Sequence, residues 1–252
     1  METPLKILGE GVCDVGCVRS NNEDMLLLGT HFVRDGAVSE EIVLTPASRL
    51  AALVADGIGG NEGGEIASEL ALYAFGHFVG ELPAGLSDEE LFAHIRTWAS
   101  QTHHCFLTDG SEELRGQMGT TLVGLLFYEG AVCWLNIGDS RLYRYRGGIL
   151  KQLTTDHSMR ALTGCTDTPS NLIYNSLGAG DKVFVDLQPL TGQLFEGDSF
   201  LICSDGLSDL LTDEELASLL AAGGDASLLV EAAKRAGGRD NVTALLLRVQ
   251  SA

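Results

Sequence analysis

Four strand-like apolar runs in this chain each meet an aspartate at one end. Three of the runs are followed within two residues by Asp56, Asp139 or Asp205, and the fourth begins just after Asp240. A buried strand that carries a carboxylate to its tip is unfavourable unless a cation meets that charge. Four such ends in one chain therefore predict that the strand tips converge on hard divalent metal ions, which prefer oxygen ligands.

Strand-like and helical runs alternate in an order that indicates the fold class. Short runs rich in Val, Leu, Ile and Tyr predict strands at 5–17, 24–29, 50–55, 121–127, 131–137, 141–146, 183–189, 199–203 and 242–249. Helical periodicity occurs at 62–80, 88–107, 213–222 and 225–236. Strands in hairpin order, interrupted by a helix pair in each half, favour stacked antiparallel sheets with helices outside over a βαβ alternation.

Turn and cap signals refine this organisation. Tight hairpin turns are predicted at 128–130 and 146–148, and N-caps at Ser87 and Thr212. No fixed-period repeat or Pro/Ser-rich linker divides the chain, so we expect one catalytic domain over 1–252.

Two further segments, 30–48 and 155–180, lack clear periodicity. We therefore expect both to be surface loops, and the second, which lies between site motifs, to be a flap over the substrate.

Composition excludes several partners. Thirty-five acidic against sixteen basic residues give a formal charge of −19, which repels phosphate backbones and argues against nucleic acid. No apolar run reaches the roughly 18 residues of a membrane span, and the N-terminus lacks a secretory pattern. The six cysteines show no Cys-x-x-Cys pair, and Cys13, Cys133 and Cys203 lie in strand-like runs. We expect a cytoplasmic protein without a disulfide framework or a zinc site.

The Asp56-Gly57 segment has a rival interpretation as a dinucleotide-binding turn, which also combines a strand, glycines and a helix. The third glycine position of that motif is Glu62, and Asp56 would face the phosphates without a neutralising partner. A lone Asp-Gly is usually only a turn. Its repetition at Asp205-Gly206 favours a shared role at a metal site.

An all-oxygen donor set predicts Mg²⁺ or Mn²⁺ rather than zinc. Glu23 and Asp24 add two carboxylates at the start of another strand, just after Arg19. Carboxylates, accessible glycines and one arginine suit phosphoester hydrolysis, with arginine gripping phosphate oxygens. Taken alone, Arg19 is better explained as a solvated charge or a partner for those acids, and His157 as a hydrogen-bonded loop histidine.

With these residues in view, the chain resembles the metal-dependent serine/threonine protein phosphatases of the 2C type, in their compact bacterial form. The resemblance extends from about Gly11 to Val249 and rests on seven motifs in the family's order. The motifs are RSNNED at 19–24, VADGIGG at 54–60, MGTT at 118–121, NIGDSR at 136–141, LTTDHS at 153–158, CSDGLSD at 203–209 and GRDNVT at 238–243.

The resemblance implies an α+β fold of two stacked antiparallel β-sheets flanked by helix pairs, with two Mn²⁺ or Mg²⁺ ions per site. It assigns Asp56 as the ligand that bridges both ions and the Gly57 carbonyl as a ligand of one. Asp205 and Asp240 would ligate the other ion. Asp139, with Asp205, matches a weaker third metal site of the bacterial members.

Other roles follow from the same resemblance. Glu23 and Asp24 would act through metal-bound waters, and Arg19 would bind the substrate phosphate. Structural support is implied for Asn241, Thr120 and Thr121. The implied activity is hydrolysis of phosphoserine and phosphothreonine in proteins by a metal-bridging hydroxide, without a covalent intermediate. The implied partners are a cognate bacterial Ser/Thr kinase and its targets.

The chain departs from the family at three places. Ile58 stands where many eukaryotic members carry a histidine assigned as general acid, and Asn61 where bacterial members commonly carry one. The 157–177 segment is shorter than the expected flap.

Two other functions are consistent with the same residues. The first is hydrolysis of small phosphoesters or nucleotides. The second is a silent module that binds phosphoproteins, against which the full carboxylate set argues.

Overall fold

The computed structural model describes residues 5–59, 63–108, 118–165, 168 and 172–252, and these contain thirteen strands and six helices. The strands are β1 Leu5–Asp14, β2 Asp24–Leu28, β3 His31–Val33, β4 Gly36–Val43, β5 Arg49–Ile58, β6 Gly119–Thr120, β7 Leu122–Tyr128, β8 Ala131–Ile137, β9 Arg141–Arg146, β10 Ile149–Gln152, β11 Asp186–Pro189, β12 Ser199–Cys203 and β13 Val242–Ser251. The helices are α1 Gly63–Glu81, α2 Asp88–Thr108, α3 Met159–Thr163, α4 Asp205–Ser208, α5 Asp213–Ala221 and α6 Ala226–Arg235.

The strands form two sheets in which every strand pairing is antiparallel. The first sheet has the order β10-β9-β12-β13-β1-β4. The second has the order β11-β8-β7-β5-β2-β3, with β6 pairing the end of β5. Because β5 and β13 each have a neighbour on both sides, their ends lie in the interior of the sheets. The expected α+β fold of stacked antiparallel sheets is confirmed.

Apolar side chains fill three layers. One cluster lies between the two sheets and includes Val54, Val123 and Leu245. A second packs α1 and α2 against the outer face of the second sheet, and a third packs α5 and α6 against the first sheet. Strands buried on both faces explain why β7 is a continuous apolar run rather than an alternating one. The described helices include none long and apolar enough to cross a membrane.

The predicted turns and caps are present. Glu129 and Gly130 both have positive φ, 47° and 87°, as do Gly147 and Gly148, 56° and 82°. Two consecutive positive φ values match the type I′ turn, whose twist suits a two-residue hairpin. Thr212 caps α5 with a reciprocal bond to Glu215.

The prediction that 30–48 is a surface loop was wrong, because the segment contains β3 and β4. Strand β4 is an edge strand with half-buried and exposed residues, so it lacks the apolar signal of a core strand. Its backbone ladder with β1 maintains it. In the second predicted loop, the structure contains the short helix α3 and isolated bridges from Ser158 to Ile173 and from Thr120 to Leu177.

Candidate metal and phosphate site

Five aspartates from both sheets meet at one end of the sandwich. Asp24 in β2 and Asp56 in β5 lie directly opposite each other in the second sheet. Asp205 begins α4 just after β12, and Asp240 precedes β13 in the first sheet. The Asp205 carboxyl lies within hydrogen-bonding reach of the Asp56 carboxyl, and Asp139 is close enough to raise the pKa of Asp56 by charge repulsion. The strand ends that carry these aspartates therefore lie close together.

Burial and mutual repulsion disfavour the charged form of these carboxyl groups. Burial, followed by the charges of Asp24 and Asp205, raises the pKa of Asp56 well above its ordinary value. Burial is also the main cause that raises the pKa of Asp24 to about 7, of Asp205 to about 6 and of Asp139 to about 8. The buried Oδ1 of Asp139 has no hydrogen-bond partner within the described residues. Such a cluster of oxygen donors fits cations, which would compensate its charge.

Asp24 connects the two sheets. Its side chain is 1% exposed, and its Oδ2 accepts hydrogen bonds from Ser204 Oγ and Thr243 Oγ1, both at 2.7 Å. Ser204 precedes Asp205 in the chain, so this contact helps to fix the start of α4. Neither Ser204 nor Thr243 is among the site residues predicted from the sequence, although both lie inside the motifs beside predicted ligands.

The two threonines hold the backbone of Asp56. Thr120 Oγ1 donates to the Asp56 carbonyl at 2.9 Å, and the Asp56 N–H donates to Thr121 Oγ1 at 3.0 Å. Thr121 Oγ1 also lies 2.8 Å from Ser140 Oγ, next to Asp139. A hydroxyl pair therefore links the segments that carry two of the predicted ligands.

Gly57 allows an unusually close approach of three segments. Its N–H donates to the Glu23 carbonyl at 3.1 Å, and a Cβ at this position would lie 2.1 Å from the Gly64 carbonyl oxygen. A side chain here would displace either β2 or α1. Burial raises the pKa of the half-buried Glu23 carboxyl. Ile58 ends β5, and Asn61 lies outside the described residues.

Arg19 and Asn241 join the N-terminal loop to the start of β13. Arg19 Nη2 donates to Asp240 Oδ2 at 2.8 Å, which raises the pKa of Arg19. Asn241 Oδ1 accepts from the Glu23 N–H at 2.9 Å, and its amide donates to the Val15 carbonyl. Arg19 is therefore paired with an acid in this structure, but the acid is Asp240 and not Glu23 or Asp24, the partners that the sequence suggested.

The family model of protein phosphatase 2C matches residues 29–236. The chain belongs to the protein phosphatase 2C family. This confirms the resemblance drawn from the seven motifs and makes the chain a hydrolase of the protein phosphatase class.

Relatives and solved structures of the 2C family cover nearly the whole chain. The serine/threonine phosphatase stp of Listeria monocytogenes is 32% identical, over 93% of this chain and 92% of that protein. The protein phosphatase PhpP of Streptococcus pneumoniae is also 32% identical, with coverages of 93% and 94%. The Streptococcus agalactiae serine/threonine phosphatase superposes with a TM-score of 0.81 at 26% identity, covering 96% of this chain and 99% of that one. The catalytic domain of the phosphatase PstP, solved with two manganese ions, gives 0.75 at 30% identity, covering 98% and 99%.

In this 2C-family member the acidic side chains lie close together, but they do not surround a common metal position. Across the described ranges, no group of three or more His, Cys, Asp or Glu side chains is placed to hold a single metal ion. One of the predicted ligands, Asp240, is hydrogen-bonded to Arg19 in this structure.

Proposed function

We propose that this 2C-family phosphatase hydrolyses phosphoserine and phosphothreonine in proteins, with residues 1–252 acting as one catalytic domain. The proposal rests on the buried carboxylates of Asp24, Asp56, Asp139 and Asp205, whose charge no cation among the described residues neutralises fully. Two Mn²⁺ or Mg²⁺ ions would supply that neutralisation, and the PstP structure with two manganese ions supports this choice of metal.

Each ion has a proposed set of ligands, which follows the family's motifs. Asp56 is proposed to bridge both ions, with the Gly57 carbonyl on one and Asp205 and Asp240 on the other. Asp139 and Asp205 would hold a weaker third ion. When bound, the ions would lower the pKa of a water molecule shared between them, so that it could act as hydroxide toward phosphorus.

The chain's own residues orient the rest of the site. Thr121 fixes the backbone of Asp56, and Ser204, bonded to Asp24, fixes the segment before Asp205. Glu23 and Asp24 are proposed to act through metal-bound waters at the edge of the site. Asp24 is also proposed to act through the hydroxyl groups of Ser204 and Thr243. Neither Ile58 nor any other named side chain is assigned as general acid.

Arg19 is proposed to bind the substrate phosphate. Its side chain is half exposed and carries the guanidinium to Asp240. Because Asp240 is also a proposed metal ligand, we expect bound metal to compete for this carboxylate and leave the guanidinium for phosphate. A bidentate arginine–phosphate contact is among the stronger hydrogen-bonded pairs.

Replacing Arg19 by alanine is expected to raise KM for a phosphothreonine peptide by roughly tenfold or more, with a smaller change in kcat. A hydrogen bond to a charged group contributes about 1.5–3 kcal/mol, and 1.4 kcal/mol is a factor of ten. Steady-state kinetics measure the change. The control is Arg239→Ala, which removes an exposed positive charge next to Asp240 in the chain. An unchanged KM in Arg19→Ala would contradict the phosphate-binding role and leave Arg19 with only its ion pair to Asp240.

The phosphatase is proposed to work in the cytoplasm against a Ser/Thr kinase. Buried free thiols at Cys13, Cys133 and Cys203 suit a reducing compartment. The charge of −19 gives nucleic acid no favourable surface. A kinase and its phosphorylated targets are the partners that the family membership supports.

Substrate comparison tests the proposal against hydrolysis of small phosphoesters. We expect kcat/KM for a phosphothreonine peptide to exceed that for nucleoside monophosphates by about 10²-fold, because peptide contacts add binding energy outside the phosphate. Comparable values would instead favour a small-molecule phosphatase. Tight phosphopeptide binding without phosphate release would favour the regulatory module.

A further inference from the structure

His157 forms two hydrogen bonds with Gly138, in the turn that carries Asp139. The backbone N–H of Gly138 donates to the ring nitrogen Nδ1 of His157 at 3.0 Å. The backbone N–H of His157 donates to the Gly138 carbonyl at 3.0 Å. Gly138 has a φ of 113°, and a Cβ there would lie 2.5 Å from Thr121 Cγ2. The turn is therefore held between the imidazole on one side and Thr121 on the other.

The tautomer of His157 is fixed by its remaining contacts. Asn175 Nδ2 also donates to Nδ1, at 2.8 Å, while the Asn175 amide pairs with the backbone of Phe184 in both directions. Nδ1 is therefore an acceptor, and the proton resides on Nε2, which lies 3.1 Å from Asp186 Oδ2. The imidazole is 2% exposed and packs against the rings of Tyr174 and Phe184.

Asp139, whose carboxylate oxygen Oδ1 is buried, follows Gly138 directly. That oxygen has no hydrogen-bond partner among the described residues. The direction of the carboxylate therefore depends on the backbone of the turn, and that backbone depends on His157. Partners that act through another residue in this way commonly change metal affinity by 10–100-fold when removed.

We propose that His157, held in its Nε2–H tautomer by Asp186, is a positioning residue that sets the affinity of the Asp139–Asp205 pair for a divalent cation. The inference rests on the proposed function, because it takes Asp139 and Asp205 as ligands of the weaker ion. It adds a role for His157 and Asp186, to which the proposed function assigns none.

Mn²⁺ titration calorimetry on matched variants tests the role. His157→Leu removes the acceptor for the Gly138 N–H, whereas His157→Asn keeps an acceptor near the position of Nδ1. We expect His157→Leu to weaken the weakest Mn²⁺ binding step by about tenfold and to leave the tighter steps within about twofold. His157→Asn is expected to restore most of the affinity.

Two further variants separate positioning from general destabilisation. Asp186→Ala alters a partly exposed side chain, should fold even if His157→Leu does not, and is expected to weaken the same step a few-fold. Val79→Ala lowers stability in the remote core under α1 and is expected to leave every Mn²⁺ step unchanged.

An unchanged weakest step in His157→Leu, or in Asp186→Ala if the leucine variant does not fold, would overturn the inference. An equal shift in Val79→Ala would also overturn it. Failure of the proposed function is recognised separately, in the wild-type protein. Wild type that binds Mn²⁺ without hydrolysing phosphopeptide contradicts the proposed function, while the variant comparison still decides the role of His157.

Discussion

Replacement of Asp56 by asparagine is expected to lower phosphopeptide hydrolysis by roughly 10³-fold or more and to raise the melting temperature of the metal-free protein. The first effect follows from the role proposed for Asp56 as the ligand shared by both ions. Metal ions contribute several kcal/mol of charge stabilisation in such reactions, and each 1.36 kcal/mol is a factor of ten in rate.

The second effect follows from the charges around Asp56. Its carboxyl is opposed by those of Asp24, Asp205 and Asp139, and it is desolvated. An amide removes this repulsion, while the backbone bonds to Thr121 are kept. A gain of about 1 kcal/mol corresponds to roughly 2–4 °C for a domain of this size.

Kinetics and thermal unfolding in EDTA measure the two effects together. Glu81→Gln is the matched control, because it makes the same change of charge at an exposed position at the far end of α1. It is expected to leave both quantities unchanged. Asp56→Asn that kept near-normal rates would remove Asp56 from the metal site. A lower metal-free melting temperature would show that its carboxylate stabilises the fold by itself.

The free energy of unfolding of the metal-free protein is expected to fall by a few kcal/mol between pH 5.5 and 8. Burial raises the pKa of Asp24 to about 7 and of Asp139 to about 8 in the folded state, against about 4 in an unfolded chain. The folded state therefore binds protons more readily. The resulting stabilisation is fully present below pH 4 and is lost as the pH rises through the folded-state values.

Mn²⁺ is expected to reverse this loss, so the rise in melting temperature on adding the metal should be larger at pH 8 than at pH 5.5. An ion that binds only the folded state at 100 times its Kd adds about 2.7 kcal/mol. Ionised carboxylates bind it better than protonated ones. Asp24→Asn should flatten part of the pH dependence in EDTA. Stability in EDTA that rises from pH 5.5 to 8 would contradict the account of these carboxylates.

The sequence predicted the strand tips and their aspartates because an apolar run that ends in a carboxylate has few favourable explanations. The edge strand β4 was missed because its half-exposed, polar sequence lacks the apolar pattern of a core strand. Its stability comes from backbone pairing with β1, which side-chain patterns do not report.

Contacts between residues far apart in the chain could not be predicted from local pattern. Asp24 meets Thr243 across 219 positions, and Arg19 meets Asp240 across 221. The first pair depends on how the two sheets stack, and the second joins segments next to β1 and β13, which pair within the first sheet. The sequence identified three of these four residues as site members, yet it left open whether Arg19 pairs with an acid or with phosphate.

Phosphate release from a phosphothreonine peptide, measured across a Mn²⁺ titration and after EDTA, tests the central claim most directly. With Asp205→Asn beside the wild type, we predict release that saturates with Mn²⁺, stops in EDTA, returns when Mn²⁺ is restored and is nearly absent in the variant. Release that persists in EDTA, or that survives Asp205→Asn, would contradict a metal-dependent phosphatase site among these carboxylates.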